Sequence, residues 1–231
     1  MAKLKRTVIV GGLSGSSGPV TFKLTSEGTI VSERTSPSNP NTPAQQSARA
    51  RFTSSARTYR GFSSSIVQQW DEFAESGLER DPVSGGQRFR DGINAYIGLA
   101  SKFLQATPNG TPPTTPPTTP FVAPNVTLTA TGSAGKVTFT APGPTPANGR
   151  TELPLQKLAG ANRKPQSGAY RSRAFAAFVP GSLSADVTVG PGFYAAAYRF
   201  VNTQTGQATE LQSIGVAQVT LALSQGGKKA A

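Results

Sequence analysis

Residues 107–124 read TPNGTPPTTPPTTPFVAP, and how this stretch is read decides how the chain is divided. Its prolines come in two TPPT units, and almost no apolar side chain is on offer for a core. Proline fixes φ and removes an amide donor, so the stretch is predicted to be extended and polyproline-like. A proline-rich ligand for a recognition domain would usually carry a nearby arginine, which is missing here. The reading is therefore a stiff spacer between two domains.

The two sides of this segment differ in hydrophobic period. Downstream, NVTLTAT, KVTFTAP, YRSRAFAAFV, GFYAAAYRFVN and GVAQVTLAL alternate apolar with small or polar residues, separated by glycine, proline and asparagine. That pattern predicts an all-β sandwich of the immunoglobulin or fibronectin kind, with roughly seven strands, over residues 125–224. A basic tail, 225–231, follows.

Upstream, residues 20–106 are expected to form an α+β anchoring domain of one β-hairpin and about three helices. In VTFKLTSEGTIVSERT, Val20, Phe22 and Leu24 alternate, then Ser26-Glu27-Gly28 supplies a turn before Ile30. The first helix starts in NPNTPAQQSARARF: Thr42 caps, Pro43 suits the first helical position, and Gln45 stands where a capping-box partner belongs. At 100° per residue Ala48, Phe52, Ala56 and Tyr59 share a face, bordered by Arg49, Arg57 and Arg60, and Gly61 ends the helix. A second helix, SSIVQQWDEFAES, carries a stripe of Ile66, Val67, Trp70, Phe73 and Ala74, with Trp70 as its anchor. A third is expected from about Gln87 to Ala106, burying Phe89, Ile93, Tyr96, Ile97, Ala100, Phe103 and Leu104. Residues 1–19 read as a flexible basic arm, because GGLSGSSG lacks the Gly-Lys-Ser/Thr ending of a phosphate loop.

Taken in order, the turn NPNTPAQQSARARF, the segment VQQWDEFA and the segment RFRDGINAYIGLASKFL before a proline-rich stretch resemble a loosely defined group of phage- and prophage-associated proteins. Those proteins share an Asn-Pro-x-Thr-x-x-Gln turn, an Arg-x-x-Phe helix, a Trp helix, a Gly-x-Asn-x-Phe-like helix and a terminal fibronectin-like or immunoglobulin-like domain. The matching residues are Asn39, Pro40, Thr42, Gln45, Arg49 or Arg51 near Phe52, Trp70, Gly92, Asn94 and Tyr96. The third helix departs from the group, reading Leu99-Ala100-Ser101 where a Leu-Asn pair is usual. The resemblance implies an architecture and a phage-like setting, and no chemistry.

Composition narrows the function further. The 231 residues contain no cysteine and no histidine, which removes thiolate and imidazole metal sites, cysteine nucleophiles and histidine-based triads. A carboxylate-only magnesium site is conceivable at Asp71 and Glu75, which share a helix face among Glu72, Glu79 and Asp81. No second acidic cluster completes it, and a solvated helix face accounts for these residues. The net charge of +12 favours polyanions at low salt. Basic residues gather before residue 61, at Arg163, Lys164, Arg171 and Arg173, and at Lys228 and Lys229, but helix-turn-helix spacing is absent. The aromatic residues fall at helical spacing, which marks a core and not a stacking platform for single strands. The start MAKLKRTVIVGGL has too short an apolar run for a signal peptide, and no run approaches the roughly 18 residues of a membrane span.

These features together lead to the expectation of a non-enzymatic, cofactor-free structural component of a phage or phage-like particle, located in the virion and assembled in the host cytoplasm. It docks on other particle proteins, in multiple copies, through Pro40, Thr42, Gln45, Phe52 and Trp70, with Arg49, Arg57 and Arg60 for charge contacts. The alternative is a sequence-independent nucleic-acid-binding protein that uses the same basic residues.

Overall fold

The computed structural model describes residues 2–4, 14–26, 28–34, 39–79 and 88–221. The chain separates into two compact units, Met1–Gln46 and Ser47–Ala231. The expected mixture of helices and antiparallel sheets is present, but the boundary between units falls far from residues 107–124.

The first unit is a four-stranded sheet built from β1 (Ala2–Leu4), β2 (Gly15–Ser17), β3 (Val20–Thr25) and β4 (Gly28–Glu33), in the order β1-β4-β3-β2. The expected hairpin is β3 and β4, which pair from Val20 and Glu33 to Thr25 and Gly28. The Thr25 hydroxyl donates to the Gly28 carbonyl at 2.7 Å, and Gly28 takes a φ of 138° that side-chain-bearing residues rarely adopt. The arm expected over 1–19 is corrected in part, because Ala2–Leu4 pairs with β4 and Gly15–Ser17 with β3. Residues 5–13 of that arm, Glu27, and the tail 225–231 lie outside the described residues.

The second unit takes in most of α1 (Pro43–Arg60), then α2 (Ser64–Glu75) and α3 (Gly92–Ala106). Trp70, Phe73, Ala74, Tyr96, Leu99 and Ala100 form one buried cluster with Tyr59, flanked by Ile66, Val67, Ile93 and Ile97. The α2 stripe is thus the one its spacing predicts. Trp70 meets Tyr96 edge-on at 5.2 Å and Phe73 at 5.7 Å, the arrangement that ring quadrupoles favour.

The third helix begins at Gly92, later than the expected Gln87, because Asp91 caps it by accepting a hydrogen bond from the Asn94 amide at 2.9 Å. Gly92 is needed where α3 meets α2: a Cβ there would lie 2.5 Å from Asp71 Oδ1 and 2.7 Å from the Asp71 amide nitrogen. Phe89 precedes the helix, yet its ring still packs, over Gly98, where an added Cβ would come within 2.7 Å of it.

Seven strands follow: β5 (Thr129–Ser133), β6 (Lys136–Thr140), β7 (Gly149–Leu158), β8 (Arg171–Ala176), β9 (Ser184–Thr188), β10 (Gly192–Asn202) and β11 (Gln212–Val219). They make two antiparallel sheets, β5-β6-β9 and β11-β10-β7-β8. Val137, Phe139 and Val187 from the first sheet share one buried cluster with Leu153, Leu155, Tyr194, Ala196, Tyr198, Phe200, Ala217 and Val219 from the second. At Gly132 the backbone of β5 runs so close to β11 that a Cβ would sit 2.0 Å from the Gln218 carbonyl oxygen.

The helices do not stand apart from these sheets. On β10 the residues alternating with the shared cluster are Ala195, Ala197 and Val201, all buried. Small alanines there leave room for α3, and the loop after β10 closes against it. A Cβ on Gly206 would lie 2.1 Å from the Leu99 carbonyl oxygen, and its φ of 79° also excludes most side chains. The four-stranded sheet is therefore covered on both faces, by the second sheet and by α3.

The spacer expected at 107–124 is corrected by the same packing. The Trp70 indole N–H donates to the Thr114 carbonyl at 2.7 Å, and Gln207 Nε2 donates to the Thr119 carbonyl at 3.1 Å. Pro112, Pro113, Pro116 and Pro117 are half-buried, while the threonines between them are exposed. The segment turns at Pro108-Asn109 and bends at Thr114-Thr115 and again at Thr118-Thr119, and its prolines serve as a packing surface that straps helices and sheets into one unit. The boundaries expected at 106 and 124 are not edges of compact units.

Candidate functional site

The joint at residues 39–60 is built as its sequence dictates. The Thr42 amide donates to Gln45 Oε1 at 3.2 Å and the Gln45 amide to Thr42 Oγ1 at 3.3 Å, a reciprocal capping box. Asn41 holds a left-handed φ of 49°, and Gln46 Nε2 reaches back to its carbonyl at 3.2 Å. The helix ends at Arg60, and the Gly61 amide bonds to the Thr58 carbonyl at 3.0 Å. Pro40, Thr42 and Gln45 are all exposed.

The expected face of α1 is buried only in part, at Tyr59 and, half-buried, at Ala56. Phe52 is 57% exposed and Ala48 is exposed, whereas Ser55 and Tyr59 are buried and Arg51 is partly so. Tyr59 fixes the rotation of the helix by packing on Phe62 and Tyr96, and the inward line then runs 51, 55, 59 at four-residue spacing. Phe52, one residue round, is left pointing outward. A Phe52→Ser change is expected to shift the urea unfolding midpoint by less than about 0.5 kcal/mol equivalent, as exposed substitutions do. Thr42→Ala is expected to cost the helix start about 1 kcal/mol and to speed amide exchange at Gln45 and Gln46 roughly fivefold, measured by NMR.

Arg49, Arg57 and Arg60 are exposed on the side of α1 away from Ser55 and Tyr59, not along the border of the buried face. Trp70 differs: at 1% exposure its ring is used up inside the protein and presents no surface to a partner. The second basic group, Arg163, Lys164, Arg171 and Arg173, is exposed beside and along β8.

The acids considered for a metal are dispersed. Asp71 Oδ1 accepts from the Gly92 amide at 2.9 Å, Glu72 accepts from Gln68 Nε2 at 2.9 Å, and Glu79 pairs with Arg88. Glu75 is exposed, and Asp81 lies outside the described residues. Among the described residues no group of three or more acidic side chains comes together to hold a metal ion. No described helix is long and apolar enough to cross a membrane.

The strongest electrostatic feature was not singled out in the sequence. Glu152 on β7, 2% exposed, accepts from Lys102 Nζ of α3 at 3.0 and 3.2 Å and from Arg199 Nε of β10 at 2.5 Å. Burial opposes ionisation of Glu152, but the Arg199 hydrogen bond and the Lys102 charge outweigh it and hold the carboxyl below its usual range. Burial also pulls the Lys102 ammonium below its usual value, against the pull of Glu152. Lys102 lies over the Phe175 ring, 5.8 Å from its centroid. The cluster ties α3 to the sheet across a layer boundary.

No protein family matches this sequence, and no individually characterised protein does. Function must therefore be argued from the geometry.

Proposed function

We propose that the chain is a non-enzymatic structural component of a phage or phage-like particle, docking through its N-terminal unit and displaying its β-rich unit. The observation that carries this reading is that the described residues of this unit make a sheet that contributes to no buried apolar cluster. Neither buried cluster contains a described residue from this unit. Val20, Phe22 and Leu24 alternate along β3 on one face, joined by Val31, which pairs opposite Phe22. Leu24 on that face is 44% exposed. A four-stranded sheet with an apolar face and short outer strands gains stability from whatever surface it is laid against.

The displayed part reads as a fibronectin-like sandwich. If β5 to β11 are lettered A to G, the sheets are A-B-E and G-F-C-D, with the fourth strand beside the third. The immunoglobulin constant arrangement instead joins the fourth strand to A, B and E. That difference favours the fibronectin variant.

The test is incorporation. Full-length chain carrying Phe22→Ser and Leu24→Lys is expected to fold, as judged by Trp70 fluorescence in the other unit, and to lose co-sedimentation with particles from the native source. Retained co-sedimentation would count against docking through this face. The nucleic-acid reading draws support from the exposed Arg57 and Arg60 beside Arg49. It requires an affinity that falls steeply with salt and weakens when all three become glutamine.

A further inference from the structure

Strand β8 ends its sheet and is bonded to β7 on one side only. Beside it is a recess of about 370 Å³, lined by Arg51 of α1, Leu104 and Gln105 of α3, and Ser172, Arg173 and Phe175 of β8. The Nε of Arg51 is closed off from solvent and has no hydrogen-bond partner. Neither Arg51 nor Arg173 enters an ion pair among the described residues. The acid nearest in register, Glu152 opposite Phe175, is already held by Lys102 and Arg199.

We propose that this recess takes the carboxylate of an acidic side chain carried by an extended segment of a partner protein lying along β8. A buried guanidinium N–H without an acceptor is costly, and an arriving carboxylate removes that cost while meeting a second cation. Ser172 and Gln105 add neutral donors at the same place, and Leu104 and Phe175 form apolar walls suited to a glutamate's methylenes. As part of the edge strand, the exposed stretch Arg171–Arg173 is placed for strand addition on the side away from β7, and alternate residues of an added strand point to one face, which brings every second side chain toward the recess. A nucleic-acid backbone offers a row of phosphates and no strand pairing, and fits a long charged surface better than one short open recess beside an edge strand.

The inference rests on the chain being a protein-binding component. Isothermal titration of the full chain would use a capped hexapeptide of alternating threonine and glutamate, its glutamine counterpart, and a short oligothymidylate. The glutamate peptide is expected to bind, with the glutamine peptide weaker by about tenfold or more. Arg51→Gln and Arg173→Gln are each expected to weaken it by a similar factor, with the unfolding midpoint retained; Arg173 is exposed, so its variant tests the site even if Arg51→Gln perturbs folding. Equal binding of the two peptides, indifference to both variants, tighter binding of the oligothymidylate, or no peptide binding would each overturn the proposal. Failure here with particle incorporation intact overturns the recess alone, since docking is tested through Phe22 and Leu24.

Discussion

Glu152→Gln is expected to lower the folding free energy of the second unit by about 3–5 kcal/mol, the cost of removing one partner from a buried ion cluster. The glutamine leaves Lys102 and Arg199, both positive, facing each other across a site that had one negative charge between them. Lys102→Met is expected to be far milder, within about 1 kcal/mol, because Glu152 and Arg199 still neutralise one another and the thioether can lie on Phe175. Urea unfolding followed by the fluorescence of Trp70, the single tryptophan, distinguishes the two. The difference should also depend on pH. The Glu152 carboxyl is held below its usual 4.5, so its contribution is complete above that unfolded value and is lost as pH falls through the lower folded one. The gap between wild type and Glu152→Gln should therefore close as the pH drops below the usual 4.5 and on through the lower folded value.

Trp70→Ala is expected to cost about 3–5 kcal/mol as well, by opening a cavity among Phe73, Tyr96 and their neighbours. Trp70→Phe separates packing from strapping. It keeps a ring in the cluster but removes the donor to the Thr114 carbonyl, for a cost of about 1 kcal/mol plus the volume change. Circular dichroism gives both stabilities. Limited proteolysis adds a local reading, since Trp70→Phe should expose residues 107–119 to cleavage before the unit unfolds. A free spacer would be cut equally fast in wild type and variant.

How much of this was legible in the sequence follows from which residues answer to local rules. Thr42, Pro43 and Gln45 form a motif that is closed within one turn, so the capped start of α1 could be read directly. The Trp70 stripe could also be read, because α2 has one buried side. The rotation of α1 could not, since only Tyr59 and its ring partners decide which of several small or basic lines faces inward. Strand β7 gave a poor signal for two reasons. Both its faces are covered, which erases alternation, and it carries Pro154, a residue usually confined to edge strands. The proline is accommodated where the β7–β8 register shifts between Leu153 and Pro154. Nothing in the local sequence sets Glu152 on that strand apart from a surface acid, and only its partners at 102 and 199 distinguish it. Residues 107–124 are neither straight nor free: they bend at Thr114-Thr115 and Thr118-Thr119, and composition says nothing about Trp70 and Gln207, which bond them.

The most direct measurement of the central claim is quantitative mass spectrometry of intact particles purified from the native source. The account predicts this chain in several copies per particle, retained through washing at high salt because an apolar sheet face and not charge alone holds it. A chain absent from every particle fraction and recovered as a monodisperse monomer would contradict it.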